Sequence, residues 1–110
     1  MWVASGTTQA ADPENGKALY ESRCVGCHSL DQDRIGPRHR GLIGRKAGAV
    51  PGFEYSPALR ASRIVWSTRT LDRWLADPER LVPGQRMNYS VPDAADRAAL
   101  VAYLEAESGP

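Results

Sequence analysis

Cys24-Val25-Gly26-Cys27-His28 decides how this chain is read. Covalent attachment of a c-type haem needs two thiols that reach the two vinyl groups of one porphyrin. It also needs a nitrogen base beneath the iron, and C-x-x-C-H supplies all three. These are the chain's only cysteines, so no thiol is left for another role. A structural zinc site uses four Cys or His ligands, and the only further histidine is His39. A thioredoxin-like dithiol belongs in a βαβ setting, and no strand pattern precedes Cys24.

Upstream of the motif, Asp12-Pro13-Glu14 reads as a helix start: a capping carboxylate, a proline at the first position and an acid facing the dipole. The predicted helix runs to about Cys24, with Gly16, Leu19, Tyr20 and Arg23 at i, i+3, i+4, i+7 spacing. A glycine inside a helix costs about 1 kcal/mol relative to alanine, so another backbone should come close at Gly16. Downstream, residues 30–55 contain Gly36-Pro37, Gly41, Gly44, Gly48 and Pro51-Gly52 and sustain no period. A loop this long in a compact domain should wrap something.

Ser56-Pro57 opens a short helix to about Ser62, and a third helix is predicted over 70–76, stopped where Asp77 precedes Pro78. The last runs from a cap at Asp93 through an alanine- and leucine-rich stretch to a stop at Gly109, with Leu100, Tyr103 and Leu104 on one face. No strand signal or internal repeat is present. The expected fold is all-α with long loops.

With 110 residues the chain reads as one domain over 12–110. Residues 1–11 lack periodicity and carry small residues at 8–10, so they read as a signal remnant or disordered terminus outside the fold. Only 7% of residues are aromatic, against ten Gly and eight Pro. The peptide core is therefore thin, and a buried cofactor would supply the missing apolar surface. A formal charge of +1 argues against a nucleic-acid binder. No apolar run reaches the ~18–20 residues of a membrane span. Met87 lies in Pro83-Gly84-Gln85-Arg86-Met87-Asn88-Tyr89. A thioether suits core filling; in a polar Pro-Gly loop it also suits a sixth iron ligand, and Met/His pairs serve electron transfer.

From about residue 14 to 107 the sequence resembles a class I cytochrome c of the mitochondrial and bacterial soluble type. Gly16 and Tyr20, with Leu100 and Tyr103, match that family's crossing of N- and C-terminal helices. The resemblance implies a cytochrome c fold: those helices crossing, short middle helices, and long loops wrapped round one covalent haem c attached to Cys24 and Cys27. It implies His28 and Met87 as axial ligands. It places the Pro37 carbonyl behind His28, where it accepts the imidazole N–H and strengthens the ligand. Gly41-Leu42-Ile43-Gly44-Arg45 and Pro51-Gly52-Phe53-Glu54-Tyr55 resemble the loops over the propionates, with Trp66 donating to one propionate and Arg45 and Tyr55 assisting. Three positions depart from the family pattern: Trp74 replaces a tyrosine, its indole N–H being able to donate to the Met87 sulfur; Leu59 replaces an asparagine; Gln85 replaces a threonine.

The function so implied is one-electron transfer between redox partner proteins docking at the haem edge, without enzymatic chemistry, in a respiratory chain. The expected form is a soluble monomer in a bacterial periplasm, with the mitochondrial intermembrane space as alternative. Arg34, Arg38, Arg40, Arg45 and Arg86 fall in the loops resembling the haem-edge face and are expected to form a positive docking patch. The rival reading is a haem enzyme or gas- or peroxide-binding domain in which Met87 is displaced; another is a domain of a larger haem oxidoreductase. Besides Lys17 and Lys46 the chain has no lysine, so none in the Met87 loop is available to replace the sulfur at high pH.

Overall fold

The computed structural model describes residues 12–109; the segment 1–11 expected to stand apart, and Pro110, lie outside the described residues. Five helices follow in order: α1 Pro13–Arg23, α2 Pro57–Ala61, α3 Thr68–Ala76, α4 Pro78–Leu81 and α5 Ala94–Ala106. Among the described residues there is no strand, only an antiparallel bridge between Lys46 and Val65.

Each helix starts on a local signal. The Asp12 carboxylate accepts the Glu14 N–H at 3.1 Å, with Pro13 at a position where its missing donor costs nothing. Asp93 accepts from Ala95 N–H at 2.8 Å to open α5. Helix α3 begins two residues earlier than the sequence suggests, because Ser67 and Thr70 cap it reciprocally. Ser67 Oγ accepts the Thr70 N–H at 3.1 Å, and Thr70 Oγ1 accepts the Ser67 N–H at 2.8 Å. Helix α4 is absent from the sequence reading. Pro78 does end α3, but the Asp77 carboxylate accepts the Arg80 N–H at 3.2 Å and the fixed proline φ suits a first turn. The chain therefore re-enters a helix at once.

Helix α1 crosses α5 at Gly16. A Cβ there would lie 1.9 Å from the Ala99 carbonyl oxygen and 2.7 Å from Tyr103 Cβ. The helix cost of this glycine is therefore the condition for backbone-to-backbone approach. The crossing buries Tyr20 beside Tyr103, ring centroids 5.3 Å apart. It also seals Leu100, whose complete burial contributes about 1.5–3 kcal/mol. Arg97 ties α5 to the rest: Nε donates to Asp72 on α3 at 2.9 Å, and Nη1 donates to the Val91 and Pro92 carbonyls at 2.9 Å each.

The long loop is laced to the segment ahead of α3. Gly44 N–H donates to the Trp66 carbonyl at 2.7 Å, Trp66 N–H to Arg45 at 2.9 Å, and Ala47 N–H to Ile64 at 2.8 Å. These bonds carry Trp66 into the centre beside Leu71, Trp74 and Leu75. Leu42, Val82 and Val91 close the core from the loops.

Candidate haem site

The end of α1 builds the thiol turn. Cys24 donates its N–H to Tyr20 at 2.8 Å as the helix stops. Cys27 and His28 then donate to the Cys24 carbonyl at 3.1 and 2.9 Å, folding the five-residue motif onto itself. The two cysteines form no disulfide; Cys24 is half-buried and Cys27 exposed. Burial pushes the Cys24 thiol up to about 11, opposed by the neighbouring Arg23 charge.

His28 is held from behind. Its Nδ1 lies 2.9 Å from the Pro37 carbonyl oxygen, which can only accept, so Nδ1 carries the proton and Nε2 keeps its lone pair. Burial lowers the tendency of His28 to protonate, and the Pro37 bond partly restores it. Gly36 makes this approach possible: a Cβ there would lie 2.0 Å from His28 Cε1. A second ring backs the first. His39 stacks on His28 at 4.0 Å between centroids with 23° between planes. Its Nδ1 sits 2.9 Å from the Tyr20 hydroxyl. Burial, then the neighbouring His28 and Arg45, hold His39 well below the usual histidine range. Burial likewise raises the Tyr20 phenol. The pair is neutral, with Tyr20 in the core and His39 half-buried beside it.

The residues expected around the propionates divide. Trp66 and Trp74 are buried and meet edge-on at 5.5 Å. Among the described residues neither indole N–H has a protein acceptor, so both are available as donors. Tyr55 is buried, and its hydroxyl accepts the Val50 N–H at 3.0 Å, which leaves its own proton to donate. Arg45 turns inward, donating to the Arg38 and Arg40 carbonyls at 2.8 Å each. Met87 is half-buried and packs against the core.

The five-arginine patch needs correction. Arg38 pairs with Asp33 at 3.1 Å, and Arg40 pairs with Asp31 and, at 2.8 Å, with Glu107. Arg34 donates to the Val25 carbonyl at 2.8 Å and pairs with no acid among the described residues. The loop acids offset much of the expected field.

Two clusters escaped the sequence reading. One is the His39–Tyr20 pair behind His28. The other lies in the Met87 loop, where buried Gln85 binds Glu79 and Asn88. The loop reads as polar throughout, and nothing in one sequence says which of its polar residues turns inward.

Two cysteines outside any disulfide, an imidazole with its proton fixed on the far nitrogen, and the absence of a Cβ at position 36 fit a covalently held haem. The family model for cytochrome c matches residues 13–107. Cytochrome c type-1 of Ascaris suum is 41% identical over 99 residues, covering 87% of this chain and 88% of that protein. Cytochrome c2 of Rhodopila globiformis is 38% identical, covering 91% and 97%. The solved structure of cytochrome cH from Methylobacterium extorquens superposes with a TM-score of 0.82 at 33% identity, covering 86% of this chain and 98% of that one.

Proposed function

Because this chain belongs to the cytochrome c family and is an electron carrier with haem c on Cys24 and Cys27, we propose that His28 and Met87 are the haem's two axial ligands. The observation that carries the reading is the 2.9 Å contact from His28 Nδ1 to the Pro37 carbonyl, which leaves Nε2 as the only basic nitrogen of the ring.

When bound, the haem supplies a one-electron iron couple. The chain's residues hold it. Pro37 fixes the imidazole plane and strengthens His28 as a donor, and Gly36 admits that geometry. Trp66 and Trp74 wall the site with buried apolar surface. Tyr55, Arg45 and Trp66 provide donors for propionate charges, which are tolerable away from water only when hydrogen-bonded. With His28 and Met87 both holding the iron, the site would exchange electrons rather than bind a substrate, in keeping with relatives named cytochrome c and cytochrome c2.

Electrons pass to and from redox partner proteins. We assign docking to the haem edge beside Arg34 and Arg86, through the small interfaces suited to turnover, and read the chain as a monomer. No described helix is long and apolar enough to cross a membrane. The cytochrome c2 relatives support a bacterial periplasm; the nematode relatives keep the intermembrane space as the alternative.

The test is a visible spectrum of the ferric protein and its Met87→Ala variant. The parent should show the weak red-edge band of a methionine sulfur on iron. The variant should lose it, bind CO when reduced, and have a lower reduction potential. An unchanged spectrum in the variant would remove Met87 from the site.

A further inference from the structure

We infer that Glu79, Gln85 and Asn88 form a side-chain clamp that positions the Met87 loop, an inference that rests on Met87 being the sixth ligand. The loop leaves α4 at Leu81 and turns through Pro83 and Gly84, with Gln85 N–H donating to Val82 at 3.1 Å. Nothing in that turn alone fixes the direction of residue 87. Glu79, on α4, reaches over it: Oε2 accepts the Gly84 N–H and Oε1 accepts from Gln85 Nε2, both at 2.9 Å. Gln85 then spans Met87. Its Nε2 donates to Asn88 Oδ1 at 2.7 Å, and its Oε1 accepts the Asn88 N–H at 2.9 Å.

Met87 therefore lies, in the chain, between two residues bonded to each other. Asn88 adopts φ +51°, in the left-handed region, immediately after Met87. Asparagine enters that region more readily than other residues with a side chain, and the paired bonds to Gln85 hold it there. Gln85 is 5% exposed, so its amide group has little water to turn to. Loss of Glu79 would leave one of its N–H groups without its charged acceptor. Glu79 and Gln85 are thus positioning residues; neither touches the iron.

The probe is imidazole titrated into the ferric holo-protein, where it competes with the Met87 sulfur and bleaches the red-edge band. Glu79→Ala should raise imidazole affinity about threefold to tenfold. Glu79→Gln should raise it less, since an amide oxygen still accepts. Gln85→Ala, which removes three hydrogen bonds, should raise it most. Glu105→Gln, exposed on α5, should match the parent. Hydrogen exchange should quicken most at the Gly84 amide in Glu79→Ala, which removes that amide's acceptor, and most at the Asn88 amide in Gln85→Ala. Parent-like imidazole affinity and exchange in both Glu79→Ala and Gln85→Ala would overturn the clamp. A parent protein without the band would instead overturn the Met87 assignment, and the amide exchange would still decide the clamp.

Discussion

The loops behind His28 and around Met87 hold these two side chains by different means. Behind His28 the means are backbone and packing: a carbonyl at 2.9 Å, a glycine where no Cβ fits, and a half-buried ring stacked at 4.0 Å. Around Met87 they are side-chain hydrogen bonds, reaching from the exposed Glu79 through Gln85 to Asn88. Close-packed interiors respond to a perturbation by shifting as a unit, whereas a polar surface clamp opens alone. The iron site should accordingly loosen from the Met87 side first, with the His28 side surviving until global unfolding.

The harshest way to break this comparison is Gly36→Ala. The new Cβ would meet a ring pinned by Pro37 and His39, so neither can yield cheaply. We expect a loss of about 2–3 kcal/mol or more in denaturant unfolding of the holo-protein, together with a changed haem spectrum. Parent-like stability would show the His28 side to be as compliant as the other.

The Tyr20–His39 pair gives a smaller and finer test. Tyr20→Phe leaves the nitrogen of a half-buried histidine without its partner and should cost about 1–3 kcal/mol. Replacing both, as Tyr20→Phe with His39→Leu, removes donor and acceptor together and should recover most of that loss. A double-mutant cycle reads the coupling. Additive single effects would mean that the 2.9 Å contact does not matter to stability.

Acid provides the mildest probe. Hydrogen bonds from Gln85 and then the Gly84 amide hold the Glu79 carboxyl below the usual glutamate range. The folded value lies below the unfolded one. The clamp's contribution is therefore complete at neutral pH and is lost as pH falls through that lowered value. Affinity for neutral imidazole, after allowing for the imidazole protonated at each pH, should rise on acidification in the parent and rise less in Glu79→Gln. Identical acid profiles would exclude Glu79 as the titrating group.

What the sequence revealed and what it hid follow the same division. Asp12-Pro13, Asp93 and the cysteine motif act through neighbours in the chain, so spacing alone exposes them. Gly16 was legible for a related reason: its helix cost made sense only if another backbone came close, and Ala99 does. Helix α4 was hidden because Pro78 stops one helix and starts another, a choice made by the Asp77 side chain. His39 and Gln85 were hidden because their partners, Tyr20 and Glu79, are reached only through folding. Residue type did not distinguish Arg34, which pairs with no acid among the described residues, from Arg38 and Arg40, which meet nearby acids.

The crossing at Gly16 makes the fold a ring as well as a stack. Helices from opposite ends of the sequence touch backbone to backbone, so the described chain closes on itself. The order in which it is synthesised is then one of several that encode the same object. Joining residues 12 and 109 and opening the exposed turn at Pro51-Gly52 would thread the same helices past the same motif from a new beginning.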